Sequence, residues 1–180
     1  MNIEPEEFPK EIAGIMLSGI VSDTLEFRSP TTTQDDKELA ERLAKVLGVD
    51  ITEYANEMFA AKSDISDFSD DELIKLDSKV IDIKGKKLRI AVLETTNPKS
   101  VLERKEGINS SANKIKTEDG LDHVLLFVID ILNEEATFVS DDEEAKNIVS
   151  ESFNSKEQDG NLILPGIVSR KKQIIPGLSK

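Results

Sequence analysis

Beyond Asp159 the chain has no acidic residue, yet Arg170, Lys171, Lys172 and Lys180 all lie in that stretch of a protein whose formal net charge is −13. A basic end on an acidic chain is either a local anion site or a solvated tail, and charge alone leaves both readings open. As an anion site it would use arginine for planar two-point contact with a tetrahedral oxyanion and lysine as a compact point charge. On an extended segment Arg170 and Lys171 point to opposite faces. They meet one ligand only if the chain turns there or the ligand lies along it. Asp23 ends an apolar helical run, where a carboxylate is disfavoured by a few tenths to about 1 kcal/mol unless a cation or donor offsets it. From the residues alone it reads as a cap on the following turn. Lys79 opens a predicted strand and reads as a solvated lysine. His123, the one histidine, borders an apolar run and reads as a packed or capping residue rather than a metal ligand. The acidic run Asp141–Glu144 reads as a solvated helix start with favourable dipole placement.

These residues need elements to hold them. Ile12, Ile15, Met16, Gly19 and Ile20 recur at helical spacing and predict a buried helix from about Pro9 to Val21. Thr33 is placed to cap a second helix with Leu39, Leu43, Val46 and Leu47 on its apolar face, stopped at Gly48. Asp50 and Glu53 form a capping-box pattern for a third helix through Tyr54, Ala55, Met58 and Phe59. The run from Lys62 to Asp67 is polar and aperiodic and reads as a linker. Ser69 and Glu72 start a short helix. The period then changes to two: Val80–Ile83 and Leu88–Leu93 predict a hairpin turning at Gly85. Asn97 and Pro98 begin another helix, whose far end is open, with Gly107 and the polar run to Gly120 as the places of interruption. The most apolar run, His123–Asp130, predicts a central strand with Ala136–Val139 beside it. A helix from about Asp142 to Phe153 follows, then short strands at Leu162–Leu164 and Gly166–Val168.

The expected architecture is α/β: a helical piece over residues 1–61, a linker over 62–67, and an α/β domain with a mixed sheet over 68–180. With 38% hydrophobic and 33% charged residues the composition is that of a soluble globular protein. The absence of cysteine excludes disulfides, thiolate metal sites and cysteine nucleophiles. The acidity argues against nucleic-acid binding, which needs a basic footprint. No apolar run approaches the roughly 20 residues that span a bilayer. The acidic start MNIEPEEFPKE lacks the features of a signal peptide, so a cytoplasmic protein is expected.

Three segments, in order, carry a resemblance: AGIMLSGIVSDTLEFRSPTTT (Ala13–Thr33), LDSKV (Leu76–Val80) and GIVSRKKQIIP (Gly166–Pro176). Together they resemble the C-terminal part of the family II (manganese-dependent) inorganic pyrophosphatases, members of the Asp-His-His phosphoesterase superfamily. The resemblance implies that residues 1–61 are the last helical piece of the metal-binding catalytic domain, and that 68–180 is the domain that clamps the substrate. It implies that Asp23 is a metal ligand, and a carboxylate suits hard ions such as Mn²⁺. Lys79, Arg170 and Lys171 would bind pyrophosphate. In the complete enzyme a Mn²⁺ (or Co²⁺) pair with Mg²⁺ would supply the attacking hydroxide.

The chain departs from the family pattern in one large respect. It has no Asp-His-His or Asn-Pro-Asp-Thr-Asp motif, so nearly all of the metal-binding sheet is missing. The expectation is a chain inactive by itself that needs a separate N-terminal catalytic domain. An exopolyphosphatase-type phosphoanhydride hydrolase and a non-catalytic phosphate-binding module are the alternatives. The SRKKQ run favours the pyrophosphatase over the exopolyphosphatase, and the missing ligands favour the binding module, or a fragment that pairs with a separate chain, for the chain by itself.

Overall fold

The computed structural model describes residues 4 and 7–180. It divides into two compact units, Met1–Lys62 and Ser63–Lys180.

The first unit is three helices, α1 (Lys10–Thr24), α2 (Gln34–Leu47) and α3 (Ile51–Lys62). Thr33 and Asp36 close a reciprocal capping box on α2, and Gly48 ends that helix in the left-handed conformation. The Asp50 carboxylate accepts from the amide of Glu53 at 3.0 Å at the start of α3. The face of α1 that packs inward corrects the sequence reading. Ala13, Leu17, Val21 and Thr24 are buried, whereas Ile12 is 44% and Ile15 70% exposed. Apolar residues lie nearly all round α1, so periodicity cannot choose its inner side. Its neighbours choose: α2 buries Ala40, Leu43 and Ala44, and α3 buries Ala55 and Phe59. A 2.6 Å hydroxyl bond between Ser18 and Tyr54 fixes α1 to α3.

The second unit is a mixed six-stranded sheet with helices. Its strands are β1 (Ser78–Ile83), β2 (Lys86–Thr95), β3 (His123–Asp130), β4 (Glu135–Val139), β5 (Lys156–Gln158) and β6 (Asn161–Pro165), in the order β1-β2-β3-β4-β6-β5. Only β2 and β3 pair in parallel; the other pairs are antiparallel. That parallel step needs a crossover, supplied by α5 (Pro98–Leu102) and α6 (Lys105–Glu118). The β1–β2 hairpin turns through Lys84 and Gly85, both at positive φ, as a two-residue turn of right-handed twist requires. Every residue of β3 is buried. Val124, Leu126 and Val128 join Ala91 and Leu93 in a core closed by Leu73 and Ile74 of α4 (Asp70–Leu76) and by Ile108 and Ile115 of α6. Phe127 sits opposite Phe138 in the ladder, with ring centroids 5.2 Å apart.

Three local expectations change. The helix after Pro98 breaks at Glu103–Arg104, not at Gly107. There the Arg104 side chain turns back to Asp70 and to the carbonyls of Ile65 and Phe68. Gly107 stays helical, and α4 passes so close there that a Cβ would lie 2.1 Å from the Asp70 carboxylate, which is why the position takes glycine. Residues 166–168 are a turn and irregular chain rather than a strand, and β6 gains an edge partner in β5. Between Glu143 and Ser152 runs α7, and the chain ends in α8 (Ile175–Leu178). Among the described residues no helix is long and apolar enough to cross a membrane.

Candidate functional site: an isolated carboxylate and a basic turn

Asp23 lies in the last turn of α1, where three consecutive residues, Leu25, Glu26 and Phe27, take positive φ of 50, 52 and 69°. None is glycine, so each carries roughly 1–2 kcal/mol of backbone strain. Local bonds hold the turn. The Thr24 hydroxyl donates to the Ile20 carbonyl at 2.7 Å and accepts from the Phe27 amide at 3.2 Å. The Ser29 amide donates to the Thr24 carbonyl at 2.8 Å. Thr31 Oγ1 donates to the Asp23 carbonyl at 3.2 Å. Arg28 pairs with Glu26 within the same turn. Thr24, not Asp23, therefore caps this turn. The exposed Asp23 carboxylate has no hydrogen bond or ion pair among the described residues. Asp23 also falls on the outward stripe of α1 with Ile12, Ile15 and Gly19, since residues three and four apart share a helix face. As a metal site this unit is incomplete. Among the described residues no group of three or more His, Cys, Asp or Glu could hold an ion, and one carboxylate does not hold a metal pair.

In the second unit, residues Arg170–Ile174 form one turn of π-helix that runs into α8. The Ser169 carbonyl accepts from the amides of both Gln173 and Ile174 at 3.0 Å, and the Ile175 amide reaches the Arg170 carbonyl. The condition under which Arg170 and Lys171 can address one ligand, a turn at that point, is met. Single π turns recur where function needs an unusual side-chain arrangement. Gln173, whose purpose is not legible in the sequence, secures the approach to this turn. Its Oε1 accepts from the amides of Val168 (2.9 Å) and Ser169 (3.0 Å), and its Nε2 donates to the Gly166 carbonyl at 2.6 Å. The Ser169 hydroxyl accepts from the Lys172 amide at 3.3 Å.

The basic side chains differ in what they meet. Lys171 and Lys172 are exposed, and their ammonium groups have no partner among the described residues; the same holds for Lys79 on β1, one of the two edge strands. Arg170 is engaged. Its two terminal nitrogens reach the carbonyl oxygen and the carboxylate of Asp77, each at 2.8 Å. Asp77 directly precedes β1, two residues from Lys79, so this contact ties the π turn to the strand that carries Lys79. Asp77 belongs to the LDSKV segment, but nothing in its spacing announces a partner 93 residues away.

His123 belongs to a separate ion network. It is 3% exposed, and its Nδ1 lies 2.8 Å from the Asp142 carboxylate. Asp142 caps α7 by accepting from the amides of Glu144 and Ala145, and it also pairs with Lys116 at 2.9 Å. Burial pushes the Asp142 carboxyl up, but Lys116, His123 and the Ala145 amide outweigh it and hold the group well below the usual carboxylate range.

A "Probable manganese-dependent inorganic pyrophosphatase" of Lactobacillus acidophilus is 41% identical over 174 residues, covering 96% of this chain and 56% of the relative. The protein of the same description from Deinococcus radiodurans is 42% identical over 186 residues, covering the whole chain and 57% of the relative. The crystal structure of the Methanococcus jannaschii "putative family II inorganic pyrophosphatase" superposes with a TM-score of 0.81 at 34% identity, over 99% of this chain and 56% of that one. The chain thus spans little more than half the length of these relatives and matches their C-terminal part. The profile of the DHHA2 domain covers residues 56–180, which include the sheet, Lys79, Asp77 and the basic turn, and the chain belongs to the DHHA2 domain family.

Proposed function

We propose that this chain is the substrate-binding C-terminal part of a cytoplasmic, manganese-dependent inorganic pyrophosphatase, with pyrophosphate held by Lys79, Arg170 and Lys171. The similarity to named pyrophosphatases across 96% of the chain carries this reading. The unpaired ammonium groups of Lys171 and Lys79 support it, because an acidic protein that leaves such charges uncompensated favours an anion there. Pyrophosphate presents several charges on two tetrahedral groups, which suits point charges from lysine and a fork from arginine.

Asp23 is proposed as one ligand of a Mn²⁺ (or Co²⁺) pair whose other ligands lie outside this sequence. By itself the chain is then a binding half without turnover. The test is pyrophosphate titration at low salt, followed by amide chemical shifts. Shifts should centre on residues 169–174 and on Lys79, and Lys171→Ala should weaken binding several-fold. Binding should fade with added salt, as exposed charge pairs do. Shifts centred elsewhere, or affinity unchanged in Lys171→Ala, would reject the assignment.

A further inference from the structure

We propose that Asp77 is a resident anion at the Arg170 fork, which pyrophosphate displaces to take the two terminal nitrogens of that fork. This rests on the functional reading above and adds to it a residue that sets the affinity of the site. The Arg170 side chain is 15% exposed and both of its terminal nitrogens are occupied by Asp77. While those nitrogens face Asp77, a phosphate cannot take the end-on two-point contact with both of them, although Nε–H stays open to it.

The two legs of the contact are unequal. The Asp77 carbonyl also accepts from the amide of Val92 at 3.0 Å, so this leg is pinned to β2. The carboxylate leg has only Arg170, and the Asp77 side chain is 57% exposed. It can swing into water once another anion takes its place at the guanidinium. The arrangement answers a physical need. A largely buried guanidinium without a counter-charge would be destabilising, and Asp77 supplies one until a ligand of higher charge arrives.

The experiment compares pyrophosphate binding to the wild-type chain, Asp77→Asn and Lys171→Ala at low salt. Asn keeps the shape and the pinned carbonyl but removes the charge. Asp77→Asn should tighten binding about two- to five-fold, the range expected for removing an exposed competing ion pair, and the gain should shrink as salt rises. A second readout needs no variant: in the wild type, pyrophosphate should move the Asp77 carboxyl carbon and the Arg170 Nε–H resonances together.

If Lys171→Ala weakens binding while Asp77→Asn leaves it unchanged or weaker, the displacement idea is wrong and the pyrophosphate site stands. If Arg170 responds to pyrophosphate while the Asp77 carboxyl stays still, the carboxylate is not displaced and the proposal fails in the same way. If the wild type does not bind pyrophosphate, or Lys171→Ala binds it as well as the wild type, both readings fall together.

Discussion

Ile15 and Leu17 are two residues apart in α1 and stand on opposite faces: Leu17 is fully buried and Ile15 is 70% exposed. The sequence pattern places Ile15 inside. The structure puts the smaller Ala13 with Leu17, Val21 and Thr24 there instead. Leu17→Ala should cost about 2–5 kcal/mol through lost burial and a cavity, whereas Ile15→Ala should stay within about 0.5 kcal/mol. Urea denaturation of the two variants measures the difference, and equal losses would contradict the assigned face.

The outward stripe of Ile12, Ile15 and Gly19 ends at the unpaired Asp23. With the relatives nearly twice as long as this chain, the proposed function predicts that a chain carrying the missing part binds this stripe. The N-terminal portion of the Lactobacillus acidophilus relative, expressed separately, should associate with the wild type and confer Mn²⁺-dependent pyrophosphate hydrolysis. The chain alone should stay far below the roughly 1–10³ per second of ordinary enzymes. Ile15→Glu should weaken the association at least ten-fold without unfolding the chain, as read by light scattering and circular dichroism. Wild-type association unaffected by Ile15→Glu would place the contact elsewhere.

Asp142 should make the protein acid-sensitive. Its folded pKa is held below the unfolded one, about 3.9, by Lys116, His123 and the Ala145 amide acting against burial. The stabilisation is therefore complete above that value and is lost as the pH falls through it toward the folded pKa. Between pH 6 and pH 3 the wild type should lose about 1–2 kcal/mol more than Asp142→Asn, measured by denaturant unfolding at each pH. Parallel pH profiles would show that the carboxylate carries no such linkage.

Gln173 makes three bonds to the backbone of residues 166–169. Gln173→Ala strands the amides of Val168 and Ser169, both buried residues, and should cost about 1–3 kcal/mol. Hydrogen exchange should accelerate at those two amides before the sheet is affected. Pyrophosphate affinity should drop even though no charge is lost. Unchanged exchange at Val168 would mean that this glutamine does not secure the turn.

Much of the molecule is written in local chemistry. The Thr33–Asp36 and Ser69–Glu72 capping boxes, the turn at Gly85 and the central strand His123–Asp130 depend on neighbours a few residues apart, and the sequence determines them directly. The family motifs around Asp23, Lys79 and Arg170 are likewise legible, because they are contiguous. Tertiary structure alone decided which stripe of α1 is buried, since its apolar residues go nearly all round and only α2 and α3 break the tie. It alone decided that Arg170 meets Asp77, across 93 residues of sequence. A periodic pattern carries no information about such a pairing. The contact exists because the sheet pins the Asp77 carbonyl to Val92, which leaves one fixed acceptor and one solvent-exposed carboxylate facing the guanidinium.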